Sequence, residues 1–185
     1  MGPLSTKVRC IAGVARSNDG LKLLEHRSAP VFTLIHPPAQ VHRVAPHPGE
    51  VLRMTSRRGA LRMAVTVHRL TLPPYRGSIA GLLPVYADRH ARALAAGLPR
   101  FRALADGKAR INDAPGYQLR YRYGPPDHRT HGIDVFVVPE DGDRDGVLLR
   151  YRQTNPPGGP GGAGRDLVKA TRKTFRSFRF GPDRP

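Results

Sequence analysis

The chain has 185 residues, 39% of them apolar, a formal net charge of +17 and one cysteine. Its length suits one domain that buries roughly 70% of its unfolded surface, and Cys10 standing alone excludes an intrachain disulfide framework. No apolar run approaches the ~20 residues of a membrane helix, so no transmembrane segment is expected.

Residues 1–28 read as a loosely attached arm, with Ser17-Asn18-Asp19-Gly20 as a turn signal. Its apolar stretch, Cys10–Ala15, is too short for a signal-peptide core, and Val8-Arg9 is not the small-residue context of a lipoprotein cleavage site. A cytoplasmic location is the default expectation; an envelope location requires a leader missing from this chain. Val31–Ile35 reads as a strand stopped by Pro37-Pro38, which cannot donate to a ladder. A loop through His42, Pro46, His47, Pro48 and Gly49 follows.

Val51–Ser56 and Leu61–Leu70 read as a hairpin turning at Arg57-Arg58-Gly59. In the second strand Leu61, Met63, Val65 and Val67 alternate with Arg62, Ala64, Thr66 and His68, the period of a half-buried strand. From Ser78 to Ala96 the period becomes helical, with Ile79, Leu82, Leu83, Tyr86, His90 and Leu94 on one stripe and Gly97 and Pro99 as the stop. Pro84 either opens that helix or kinks it.

Lys108–Asn112 reads as a short strand and Asp113-Ala114-Pro115-Gly116 as a turn. In the next strand Tyr117, Leu119, Tyr121 and Tyr123 face one way and Gln118, Arg120 and Arg122 the other. Ile133–Val138 is apolar on both faces, as a central strand is; Pro139–Asp143 turns the chain into a strand at Val147–Arg152. Asn155–Gly164 reads as a flexible connection. Asp166–Phe175 then reads as a helix with Leu167, Val168, Thr171 and Phe175 inward and Asp166 in its first turn. The resulting order, β(ββ)αββββα, predicts an α+β domain over residues 29–181, followed by a tail at 182–185. Its sheet is mainly antiparallel, of six to seven strands, with two flanking helices.

The charge has two sources. Of 31 basic residues 26 are arginine, as GC-rich codon usage favours, but that usage does not explain why only 14 acids oppose them. The shortage of acids asks for an anionic partner. Candidate residues for its surface are Arg120 and Arg122 on one strand, Arg150 and Arg152 on another, and Lys169, Arg172, Lys173 and Arg176 on the last helix. If the two strands are close, their four guanidinia form one patch. Arginine suits this role because its fork pairs with carboxylate or phosphate through two parallel hydrogen bonds. The bland alternative is that the long stems cover sheet and helix rims.

No catalytic residue, cofactor or metal ligand set is assigned. His128, His131 and Asp134 carry a metal-like spacing, but Arg129 between them repels a cation and a solvated loop is the simpler reading. The glycine-rich Gly158–Gly164 lacks the Lys-Ser/Thr end of a phosphate loop, and no strand leads directly into it.

Four segments carry a family resemblance. They are Phe32–Pro37, the hairpin and helix ending in Gly97-Leu98-Pro99, the stretch Ala109–Tyr121, and the terminal Ser177-Phe178-Arg179-Phe180. Together, over about residues 29–181, they resemble the PsbP-like superfamily. The resemblance implies an α/β/α sandwich and a non-catalytic protein that docks onto a protein or assembly. No motif of functional residues transfers from it. The expected function is therefore a binding or adaptor domain for a protein partner. Electrostatic binding of nucleic acid or an anionic lipid surface is the alternative.

Overall fold

The structure, a computed structural model, describes residues 8–10, 20–140 and 145–181. Ser17–Asp19, the end of the turn at Pro139–Asp143 and the tail at 182–185 lie outside the described residues. The strands are β1 (Val8–Cys10), β2 (Lys22–His26), β3 (Phe32–His36), β4 (His42–Val44), β5 (Glu50–Arg58) and β6 (Leu61–Thr71). A 3-10 turn at Ile79–Leu82 then leads into α1 (Leu83–Gly97). They are followed by β7 (Arg102–Ile111), β8 (Ala114–Tyr123), β9 (Thr130–Val137), β10 (Asp145–Thr154), α2 (Gly162–Arg176) and β11 (Arg179–Phe180).

Seven strands form one antiparallel sheet in the order β4-β5-β6-β10-β9-β8-β7, and a second sheet runs β1-β2-β3-β11. Both the antiparallel pairing and the two helices agree with the sequence reading. The opening strand, however, sits in the small sheet. Lys22–His26, read as part of an arm, is its neighbour: Leu23 and Leu24 are buried, and Leu24 joins the core. A five-residue strand with only two apolar residues, between turn-forming segments, has too weak a period to stand out.

Side-chain alternation assigns the faces of the large sheet. Val65, Val67, Val135, Val137, Val147, Leu149 and Tyr151 point to one face, where they meet Leu24, Phe32 and Leu34 of the small sheet with Phe175 and Phe178. On the other face Phe136 and Val138 meet Ile79, Leu83 and Ala87, while Leu119 and Tyr121 meet Leu94. Pro84 therefore opens α1 rather than kinking it, because an amide in the first turn has no intrahelical partner to lose.

Three boundaries differ from expectation for local reasons. β7 begins at Arg102, well before Lys108: as an edge strand it exposes most of its residues, so no apolar period marks it. The hairpin turn is Asn112-Asp113, not residues 113–116, and Asn112 takes the left-handed φ of 51° that a two-residue turn demands. α2 begins at Gly162, so Gly162–Gly164 belong to the helix and Asp166 falls beyond its first turn. Gly164 is buried there because a Cβ would lie 3.3 Å from Leu61 Cδ2.

Asn112 also ties the hairpin to the C-terminus: its Nδ2 donates to the carbonyl of Phe178 at 2.6 Å and of Arg176 at 3.2 Å. Asn112→Gly keeps the turn and loses both bonds, an expected cost of about 1–2 kcal/mol. Asn112→Ala adds about 1 kcal/mol or more for a Cβ in the left-handed region. Urea unfolding of the two variants checks the order.

Candidate anion interface

α2 packs against β3, β5, β6 and β10, whereas α1 packs against β7, β8 and β9 on the opposite face. The two helices thus cover diagonally opposite halves of the large sheet. The small sheet packs beside α2 on its face, and alternation places arginines on both faces.

Strand register sorts the candidate residues. Arg120 lies in one cross-strand row with Ile133 and Tyr151, and Arg122 in another with His131 and Gln153. Arg150 lies in a row with Asp134 and Leu119, and Arg152 in one with Gly132 and Tyr121. Residues in one row share a face, and adjacent rows alternate. Arg120 and Arg122 are therefore on the α2 face, and Arg150 and Arg152 on the α1 face. The single patch of four guanidinia does not exist, because β9 sets the two arginine strands one residue out of phase.

On the α2 face, Arg120 is brought instead to Arg172 and Arg176. They line a groove of about 520 Å³ between α2 and the β7–β8 edge, floored by Ile133, Val135, Tyr151 and Phe175. Arg122 stands beside it, near His131. Partial burial, then the charges of Arg122, Arg129 and Arg172, hold the His131 imidazole below its ordinary value, so it is neutral at pH 7 and adds no charge. The Arg172 guanidinium sits 5.8 Å from the centroid of Tyr151. Among the described residues none of Arg120, Arg122, Arg172 and Arg176 has a carboxylate in ion-pair contact. Lys169 and Lys173 are exposed on α2 but do not line the groove. Lys173, with Arg176, occupies the last turn of α2, where a cation complements the helix dipole.

On the α1 face, Asp134 is fully buried and is held by hydrogen bonds and an ion pair from three residues. His90 Nε2 lies 2.6 Å from Oδ2, Arg150 Nε 3.1 Å from each oxygen, Arg150 NH2 3.0 Å from Oδ2, and Tyr121 OH 3.0 Å from Oδ1. Burial alone would raise this carboxyl, but the His90 hydrogen bond and the Arg150 charge outweigh it and hold it below the usual carboxylate range. Tyr121 OH also accepts from Arg152 Nε at 3.3 Å. Burial, then the Asp134 charge, drives the Tyr121 phenol well above its ordinary value, so it stays a neutral donor. With no solvent access, Asp134 anchors α1 and β10 and is not placed for acid–base chemistry.

The metal spacing of His128, His131 and Asp134 also dissolves. Asp134 is in an α1-face row while His131 is in an α2-face row, and His128 is exposed on a turn. No helix among the described residues is long and apolar enough to cross a membrane.

No protein-family profile and no curated protein matches the chain. Its fold does match solved structures. LpqN, involved in cell envelope biogenesis of Mycobacterium tuberculosis, superposes with a TM-score of 0.55 at 13% identity, over 88% of this chain and 92% of that one. Cyanobacterial PsbP (CyanoP) from Synechocystis sp. PCC 6803 superposes with a TM-score of 0.53 at 14% identity, over 97% of this chain and 100% of that one. The chain therefore has the PsbP-like fold that Phe32–Pro37 and Ala109–Tyr121 suggested.

Proposed function

We propose that this PsbP-like domain is a non-catalytic docking module that holds an acidic segment of a protein partner in the groove between α2 and β8. One observation carries the reading: Arg120, Arg172 and Arg176 line that groove, with Arg122 beside it, and none has a carboxylate partner among the described residues. Arg120 and Arg122 are two residues apart on a strand, about 6.6 Å. Arg172 and Arg176 are one turn apart on a helix, about 6 Å. An extended segment with carboxylates at alternate positions presents nearly the same repeat, so each acid meets a guanidinium fork. Left without such a partner, Arg172 and Arg176 repel each other at i,i+4.

Nucleic acid is the second reading, since phosphates suit the same forks. The aromatic side chains lining the groove among the described residues, Tyr151 and Phe175, are buried in its floor and offer no platform for stacking bases. Binding of that kind would be electrostatic alone.

The test is affinity capture from the source lysate at low salt. A stoichiometric protein with an acidic segment is expected, and its binding weakens about 10- to 100-fold with Arg120→Glu, and again with Arg172→Glu. Recovery of DNA or RNA instead, with affinity falling steeply against log salt, establishes the second reading. Binding indifferent to both charge reversals removes the groove from either.

A further inference from the structure

The uncovered half of the α1 face supports a separate site. We propose that Arg57, Arg62 and Arg152 bind the phosphate group of a small soluble ester. Arg57 and Arg62 are directly opposite each other on β5 and β6, and Thr154 follows Arg62 in the same row. Thr55, Ala64, Arg152 and Gly132 form the next row. The three arginines therefore lie on one face and line one hollow. Ala64, a small residue between Thr55 and Arg152 in that row, keeps the floor low, and the result is a hollow of about 330 Å³.

Charge balance separates these three arginines from the others on this face. Arg53 is paired with Glu50 at 3.5 Å and Arg150 with Asp134 at 3.0 Å. Arg57 donates through Nε to the Gly59 carbonyl at 3.3 Å, and among the described residues neither it nor Arg62 has a carboxylate in contact. Like charges directly opposite across a hairpin destabilise it, and a bridging anion reverses the sign. Arg152 is the oriented member. Its Nε is occupied by Tyr121 OH, and its guanidinium lies 5.7 Å from the Tyr123 ring centroid. These two contacts restrain the guanidinium and reduce the entropic cost of capture.

The chemistry favours phosphate over carboxylate. Three guanidinia and the Thr55 hydroxyl offer more donors than the two oxygens of a carboxylate can take. A phosphomonoester supplies three oxygens and close to two charges. A recessed site bounded by the β5–β6 hairpin admits a single headgroup on a small molecule more readily than a flat lipid surface.

The experiment titrates the full chain with inorganic phosphate and with glycerol 3-phosphate at constant ionic strength, read by calorimetry and by the melting midpoint. Sodium acetate and vesicles containing phosphatidic acid serve as comparison arms. Saturable binding of both phosphates is expected, weakened about tenfold or more by Arg62→Gln and by Arg57→Gln, which are on the exposed rim and leave the core intact. Arg120→Gln with Arg172→Gln should leave phosphate affinity unchanged, so this site and the α2 groove fail or stand independently. The proposal is overturned if phosphate does not saturate, if acetate binds as well, if only vesicles bind, or if the α2-groove variants abolish binding while Arg57→Gln and Arg62→Gln do not.

Discussion

Asp134→Ala is expected to cost about 3–5 kcal/mol of unfolding free energy, the range for breaking a buried ion pair from one side. The reason is what remains behind: Arg150, His90 and Tyr121 all aim donors at a carboxylate that no longer exists, under a helix that blocks water. Asp134→Asn restores the shape but not the charge and should recover only part of the loss. The pH dependence follows from the direction of the shift. The carboxyl is held below its ordinary value of 3.8, so its contribution is fully present above that value. It is lost as pH falls from there through the folded-state value. The gap between wild type and Asp134→Asn should therefore be constant near neutrality and shrink below about pH 4. Urea unfolding across that range measures it. A loss under about 1 kcal/mol for Asp134→Ala would mean that Arg150 reaches solvent on its own, and the anchoring role would fall.

Gly132→Ala should be almost as damaging, although a methyl group is a small addition. A Cβ at position 132 would overlap the Tyr121 ring, which lies across the glycine and is itself fully buried. Overpacking of this kind costs typically 1–3 kcal/mol, and displacing the ring also breaks the Tyr121–Asp134 hydrogen bond, so roughly 3–5 kcal/mol is expected in total. Tyr121→Leu removes the phenol and makes room for the methyl. The double variant Gly132→Ala/Tyr121→Leu should therefore be less destabilised than the sum of its parts, a coupling that a double-mutant cycle reads directly. Additive losses would show that the ring does not depend on the glycine. The same substitution bears on the phosphate site, because Tyr121 OH orients Arg152.

The two variants probe one arrangement from its two sides, and a linear reading hides only how its parts meet. Asp134 interrupts an apolar strand, and that interruption is itself a signal: a carboxylate amid Ile133, Val135 and Phe136 has to find a buried partner. His90 lay on the predicted inward stripe of α1, so both ends of the contact were present in the sequence. What joined them was the packing of α1 over β9, which brings together residues 44 positions apart.

Local alternation carried the fold reading a long way. Leu61–Leu70 and Tyr117–Tyr123 have the predicted in-and-out pattern, because a strand with one buried face must alternate whatever its neighbours are. It correctly placed Arg120 and Arg122 opposite Tyr121, and the helical period placed Arg172 and Arg176 outward on α2. The edge strand β7 was read only from Lys108 onward, since its first five residues are exposed and have no apolar period to read.

The sequence by itself thus determined which arginines share a face of their own element, and that acids are too few to neutralise them. Only the tertiary structure decided which elements stand side by side. Strand order puts β9 between β8 and β10, and its register sends Arg120 and Arg150 to opposite faces. The expected single set of guanidinia therefore became two, one on each face. The physical reason is that alternation is a property of a single backbone. Strand neighbours and helix coverage are instead set by how apolar faces far apart in the chain bury one another.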